Sequence, residues 1–394
     1  MSVANRIVFV SPRFPEAATV GGAETLLRRL AERAARAGRA VEVLTTCARN
    51  HFTWAYEVPP GAREFDGLRV RFFPVDERRD VATFLRVQDR ISRRCPVSED
   101  EERAWLDNSV NSPALCDYLR GHLDAFDRIL VGPYLFGLTH AVSRIDPART
   151  FLVPCLHDEP FATVGLIAGM FRSVRGSLFN TEPERDLAAR LYGLPADRCH
   201  VVGMGLDPFT ADPAAFARRR GLDAPYLLYS GRREPLKGTP LLVDYFQAFR
   251  ARTSRGVNLV LTGTGDVPVP PGLARHVIDA GFVSEEEKHE AMAGALAFCH
   301  PSPLESLSIV LLESWLAGTP ALVTDRSAVM RELCRRSGGG IWFRHYPDFE
   351  EALLRLLDDA PLRRRMGEAG RAFVLSEYAW DRIEKRLFTA LDRA

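Results

Sequence analysis

The sequence predicts an α/β protein built from two doubly wound, Rossmann-like domains. Short β-rich runs alternate with longer segments of helical periodicity, the pattern of parallel βαβ units. That alternation lapses over residues 203–224 and then restarts. The 394 residues also exceed what one hydrophobic core usually organises.

In the first half, Arg6–Val10 reads as a strand and Ala23–Ala37 as a helix with Leu26, Leu27, Leu30 and Ala34 on one face. Strands follow at Val41–Thr45, Leu68–Phe73, Asp127–Val131, Thr150–Leu156, Ser177–Phe179 and His200–Val202, with a helix at Pro183–Tyr192. The lapse holds Pro208, Pro213 and the run Arg218-Arg219-Arg220, and reads as a linker with a short helix. The second half predicts strands at Tyr226–Tyr229, Leu259–Leu261, His276–Ile278, Ala297–Cys299 and Ala321–Val323. Its helices are expected at Thr239–Arg252, Glu285–Ala295 and Ser308–Ala317. The domain reading is therefore 1–205, a linker at 206–222, and 223–377.

Composition narrows the function. Fifty-two basic and fifty-one acidic residues leave a net charge of +1, which gives no global reason to expect nucleic acid as a partner. No apolar run approaches the roughly 20 residues that span a bilayer, and the N-terminus enters a strand without reading as a signal peptide. Seven scattered cysteines with no Cys-x-x-Cys pair speak against a disulfide framework or zinc site and for a reducing cytoplasm. The oligomeric state is not legible.

In doubly wound sheets, ligands lie outside the carboxyl ends of the strands, so each candidate site should follow a strand. "SPRFPEAATVGGAET", Ser11 to Thr25, follows the first strand and opens the first helix. Gly21 and Gly22 there let the backbone pass near a ligand, with helix-start N–H groups facing an anion. An ordinary glycine loop before a helix has the same look. "YSGRREPLKG", Tyr229 to Gly238, follows the first strand of the second half. Arg232 offers a planar fork and Lys237, one of only three lysines, a compact charge, a combination suited to two adjacent phosphates. "LTGTGD" supplies Gly263 and Gly265 but lacks the third glycine of a dinucleotide fingerprint, because Pro268 stands there.

"HPSPLESLSIVLLESWLAGTP", His300 to Pro320, places Glu305 in a loop after a strand and Glu313 on the following helix. Ser306 is the expected N-cap. The helix start favours an anion, either Glu305 itself or a ligand phosphate. Eight helical residues separate the two carboxylates by roughly 12 Å, too far for the paired-carboxylate chemistry of glycoside hydrolysis. The spacing suits a ligand lying along the helix, with a diol held by Glu313. "LVPCLHDEP" adds His157, Asp158 and Glu159 past another strand.

Taken in order, "GGAE", "SGRREPLKG", "LTGTGD", "GFVSEEEKHEAMAGA" and Glu305-x7-Glu313 before "AGTP" resemble the retaining nucleotide-sugar glycosyltransferases of family 4. The likeness covers nearly the whole chain and is tighter in its second half. It implies the GT-B arrangement of two Rossmann-like domains across a cleft, with the last helix, 378–394, packing back on the acceptor-side first domain. It implies hexosyl transfer from a nucleotide-diphosphate sugar to a hydroxyl of a glycan, lipid-linked glycan or small molecule, without a metal or other cofactor. Arg232 and Lys237 would bind the diphosphate and Glu313 the ribose. Glu305 would contact the transferred sugar, and backbone groups around Phe282 and Val283 would meet the base. Gly21 and Gly22 would face the phosphates or acceptor, and His157 the sugar's 6-position or the reacting centre. Gly263, Ser306, Leu307 and Ser308 complete the donor-binding set.

One departure stands out. Many relatives have Phe-Gly after the first glutamate, where this chain has Ser306-Leu307-Ser308, so Ser308 narrows the approach or adds a hydroxyl contact. The arginine- and acid-rich region 76–123 matches no motif of the family and reads as an insertion, a flap or a solvated helix pair. Phe161–Phe171, with Arg172 and Arg175, offers either a peripheral membrane contact at the inner membrane face or a core helix. Competing classes with a similar cleft are a nucleotide-sugar epimerase, a sugar phosphorylase and a non-catalytic nucleotide-sugar-binding protein. A dehydrogenase is weakened by the missing glycine fingerprint.

Overall fold

The computed structural model describes residues 5–14 and 21–393. They fall into two compact units, Met1–Met204 with Asp381–Ala394, and Gly205–Trp380. The first contains β1 (Arg6–Ser11), β2 (Ala40–Thr46), β3 (Gly61–Phe65), β4 (Leu68–Phe73), β5 (Arg128–Val131), β6 (Thr150–Leu152), β7 (Gly176–Phe179) and β8 (Cys199–Val201). They lie in the order β3-β4-β2-β1-β5-β6-β7-β8, parallel throughout except for β3 against β4. Ile7, Val8, Phe9 and Val10 are all buried, because helices cover both faces of a parallel sheet. This continuous apolar run made β1 readable. The edge strand β3, Gly-Ala-Arg-Glu-Phe, is mostly exposed and carries no such signal.

The 76–123 region is not a flap or a solvated pair. Its helices Val81–Ser92, Glu99–Asp107 and Pro113–Gly121 form the crossover from β4 to β5 and bury Val87, Ile91, Trp105, Leu106, Leu115 and Leu119 in the core. The Glu102 carboxylate accepts the N–H groups of Gly165 and Leu166 at 3.0 and 2.9 Å, capping the helix Gly165–Ser173. That helix turns Ile167, Met170 and Phe171 into the same core. Three of the apolar residues offered for a membrane contact are therefore spent on packing, while Phe161, Leu166 and Ala168 are half-buried against the same core. Among the described residues, no helix is long and apolar enough to cross a membrane.

The second unit contains β9 (Tyr226–Ser230), β10 (Asn258–Thr262), β11 (Val277–Gly281), β12 (Ala297–His300), β13 (Ala321–Thr324) and β14 (Gly340–Phe343). Their order, β11-β10-β9-β12-β13-β14, is wholly parallel. It reverses between β9 and β12, the switch point where such sheets open a ligand crevice at their carboxyl edge. The segment 206–222 lies within this unit: Phe216 of the helix Ala215–Arg220 is buried against Tyr226, and Arg219 pairs with Glu290 at 2.9 Å.

The last helix, Trp380–Arg393, belongs with the first unit from Asp381 onward. Arg39 pairs with Asp392 at 2.9 Å, and Arg128 donates to the Leu391 carbonyl at 3.0 Å. Two expectations shift in detail. The strand expected to run to Leu156 ends at Leu152, just before Pro154, which has no N–H for a ladder. The helix expected from Ser308 spans Ile309–Leu316, with Ser308, not Ser306, as its N-cap residue.

Candidate active site

The loop after β9 is pinned by contacts of its own. The buried Tyr229 hydroxyl donates to the Arg232 carbonyl at 2.6 Å. Arg233 is buried, ion-paired with Asp279, and donates to the Gly263 carbonyl at 3.1 Å. It bolts this loop to the loop after β10 and to β11 itself, while its neighbour Arg232 stays half-exposed, 3.5 Å from Glu234. The glycine at 263 has a structural reason. Its φ is +114°, and a Cβ there would lie 2.0 Å from the Gly231 carbonyl oxygen, so the close approach it permits is between two loops of the chain.

Lys237 closes a short turn, Pro235–Lys237, ahead of the helix Thr239–Arg252. Gly238, at φ +72°, is pressed against the Pro301 carbonyl, where a Cβ would come within 2.6 Å. That contact brings the loops after β9 and β12 together. Lys237 Nζ then donates to Glu305 Oε1 at 2.7 Å, and His300 Nε2 lies 3.4 Å from the same oxygen. Glu305 is only 11% exposed. Burial opposes its ionisation, but the Lys237 ammonium and then the His300 ring outweigh it and hold the carboxyl well below the usual carboxylate range. With Oε1 anchored, Oε2 has no protein partner among the described residues. His300 Nδ1 is buried without one as well.

Beyond Glu305, Ser306 and Leu307 are buried and Ser308 takes φ +64°, ψ +75°, a left-handed conformation unusual for a residue with a side chain. Its Oγ is buried and has no hydrogen-bond partner among the described residues. Its turn sets the start of the helix Ile309–Leu316, whose Leu311, Leu312, Trp315 and Leu316 are buried. Glu313 shares this helix but points its carboxylate at Lys288, with Nζ to Oε1 at 3.0 Å. Lys288 sits on the helix Glu285–Gly294 and also donates to Glu285 at 2.8 Å. Phe282 is exposed and Val283 half-buried in the turn after β11. Glu285, His289 and Glu313 offer ligand atoms within 4.8 Å of one another, a donor set of the kind that holds a metal ion.

In the first unit, Gly21 is the N-cap of the helix Gly22–Arg36, in extended conformation. A Cβ at Gly21 would lie 2.8 Å from Oε2 of Glu24, a buried acid in the first turn that pairs with Arg13. This helix start therefore already carries a carboxylate. The stretch 15–20 of the same motif lies outside the described residues. His157 lies in the turn after β6, with Nδ1 3.6 Å from Glu159, whose carboxylate accepts the Tyr134 hydroxyl at 2.7 Å. Asp158 pairs instead with Arg190 at the surface, at 3.1 Å.

Sequence reasoning missed His300, Lys288 and the Arg13–Glu24 pair. His300 stood inside a quoted motif, but a buried histidine at a strand end looks like core. Lys288 had the better signal, since lysine is so scarce in this chain.

The family model for glycosyl transferases, group 1, matches residues 213–373, the stretch that holds Lys237, Glu305 and Glu313. The chain is 30% identical over 315 residues to the GDP-mannose-dependent alpha-(1-6)-phosphatidylinositol monomannoside mannosyltransferase of Mycobacterium tuberculosis, covering 75% of this chain and 77% of that one. It is 30% identical over 226 residues to the alpha-D-kanosaminyltransferase of Streptomyces kanamyceticus, covering 53% and 58%. For several of the curated relatives the match spans only 54% to 62% of the relative's length. Among solved structures, the sucrose-phosphate synthase of Thermosynechococcus elongatus shares the fold, with a TM-score of 0.72 at 16% identity over 98% of both chains.

Proposed function

The chain belongs to the group 1 glycosyl transferases, and on that premise we propose that it is a retaining family 4 enzyme. It moves a hexosyl group from a nucleotide-diphosphate sugar to an acceptor hydroxyl without a metal. The observation that carries this reading is the convergence of Lys237, His300 and Glu305 at the carboxyl ends of β9 and β12, with Glu313 one helix further on.

Each group has a task the chemistry asks for. Arg232 and Lys237 receive the diphosphate and stabilise the negative charge that grows on it as the glycosidic C–O bond breaks. Two cations placed there supply what a metal would otherwise supply. Glu305 Oε2 takes a hydroxyl of the transferred sugar, while Oε1 stays anchored on Lys237 and His300. Glu313 accepts hydroxyl hydrogens of the ribose. The acceptor oxygen attacks the anomeric carbon on the face the diphosphate leaves, and its proton passes to a leaving phosphate oxygen. In the first unit, His157 is the candidate for the sugar's 6-position or the reacting centre, and the helix start at Gly21 and Gly22 the candidate for the phosphates or acceptor. The acceptor is a glycan, a lipid-linked glycan or a small molecule.

Thermal stabilisation by UDP, GDP, ADP, CMP, NAD and the common sugar nucleotides tests the reading. A ligand at 100 times its dissociation constant adds about 2.7 kcal/mol. One nucleoside diphosphate should win, and its shift should vanish in Glu313→Ala. Stabilisation by NAD alone, or turnover that EDTA abolishes, would count against the proposal.

A further inference from the structure

The nucleoside end of the cluster carries more charge than the proposed roles require. Lys288 is only 15% exposed and Glu313 only 13%, and the ammonium contacts two carboxylates at once, Glu285 at 2.8 Å and Glu313 at 3.0 Å. Burial works against the charge on Lys288, but Glu313 and then Glu285 outweigh it and raise its pKa. Around it, Glu285, His289 and Glu313 form an oxygen–nitrogen–oxygen set of the kind zinc or manganese takes. Two carboxylates this close repel unless a cation lies between them, and here that cation belongs to the chain.

We infer that Lys288 is a positioning residue for the nucleotide ribose: it fixes the Glu313 carboxylate for a vicinal diol and occupies the place a divalent cation would take. This rests on the donor reading above. An ammonium has three N–H donors, of which Lys288 spends two on Glu285 and Glu313. The third has no protein partner among the described residues. A diol has hydroxyl hydrogens for Glu313 and oxygens for that third donor, so the pair matches it from both sides. Residue choice points the same way. Three of the 52 basic residues are lysines, leaving 52 − 3 = 49 arginines. Lysine supplies a compact charge where a planar fork would not serve as a point cation between two acids.

The test uses the full chain with UDP, GDP and ADP beside their 2′,3′-dideoxy forms, with affinities read by calorimetry. The wild type should prefer the ribonucleotide. Lys288→Met should weaken ribonucleotide binding by about tenfold, leave dideoxynucleotide binding unchanged and so erase the preference. Lys288→Arg should restore part of it. An undiminished preference in Lys288→Met overturns the inference, as does an equal loss for both nucleotide forms, which marks a merely structural residue. Failure of every ribonucleotide to bind the wild type removes the donor reading itself. A second arm reads stability alone: Lys288→Ala should gain a thermal shift with Zn²⁺ that EDTA reverses, while the wild type shows none. No gain there overturns the cation-substitute half of the inference.

Discussion

Lys237 donates to Oε1 of Glu305 at 2.7 Å and so ties the loop after β9 to the loop after β12, the two strands that flank the reversal of the second sheet. The sixty-odd residues between them fold back so that two distant loops share one buried charge pair. Gly238 makes this approach feasible, because its missing Cβ leaves room for the Pro301 carbonyl.

Lys237→Met should therefore injure both stability and turnover. It leaves a buried carboxylate with His300 as its remaining basic partner among the described residues, and breaking one partner of a buried pair costs about 3–5 kcal/mol. The double variant Lys237→Met/Glu305→Gln removes the orphaned charge. It should be more stable in urea than Lys237→Met alone, with a coupling of about 1–3 kcal/mol. Both variants should lose about 10²–10³-fold in turnover. A single variant as stable as the double would mean that the carboxylate left without Lys237 costs the fold nothing.

The same pair sets an acid limit. The Glu305 carboxyl is depressed below its ordinary value of 4.5. Its contribution to stability is thus full above that value and lost as pH falls towards the lower folded-state value. The stability difference between wild type and Glu305→Gln should stay constant from pH 7 to about 5 and shrink below about 4. Urea midpoints across that range measure it, and a difference that grows on acidification would contradict the assignment.

Glu184 in the first unit works with the opposite sign. It is fully buried, its carboxyl accepts the N–H groups of Leu156 and Asn180 at 2.6 Å each, and burial pushes its pKa up to about 8. The folded state then holds a proton that the unfolded chain releases near pH 4.5. Stability should accordingly fall as pH rises from about 5 to 8 and level off above that. Melting temperatures of wild type and Glu184→Gln at pH 5.5, 7 and 8.5 check this. The variant should lack that part of the slope, and equal slopes would remove Glu184 as its source.

The sequence made the fold legible because parallel strands buried on both faces advertise themselves as apolar runs. Ile7 to Val10 and Leu227 to Tyr229 are of this kind, all buried. The edge strand β3 did not, since it is mostly exposed, nor did β14, four residues long with only Phe343 buried. Lys237 and Glu305 could be singled out by their positions after strands, and the structure brings the two into contact. What stayed hidden was pairing across distance. Nothing in the sequence separates Arg233 from its neighbour Arg232, and the buried contacts with Asp279 and Gly263 do. Lys288 sits in an acidic stretch of its own helix, and its contact with Glu313 comes from another element. Spacing along a chain reports neighbours on one element, and these partners lie on different ones.

Ser308 offers the sharpest test of what the donor loop is built for. A left-handed φ costs a residue with a Cβ about 1–2 kcal/mol, and a buried hydroxyl without a partner costs about as much again. Ser308 carries both burdens, at φ +64° with Oγ unbonded among the described residues. Glycine would remove both, so Ser308→Gly should raise the melting temperature of the protein by at least about 2 °C. Ser308→Ala removes the lone hydroxyl but keeps the strain, and should gain less. If the hydroxyl serves a ligand, both variants should bind the preferred sugar nucleotide more weakly while the bare nucleoside diphosphate binds as before. If the side chain only narrows the approach, Ser308→Ala should bind like wild type and Ser308→Gly should accept bulkier donor sugars. A glycine variant that melts lower would show that the native turn is held by the serine rather than strained by it, and the premise of both readings would fall.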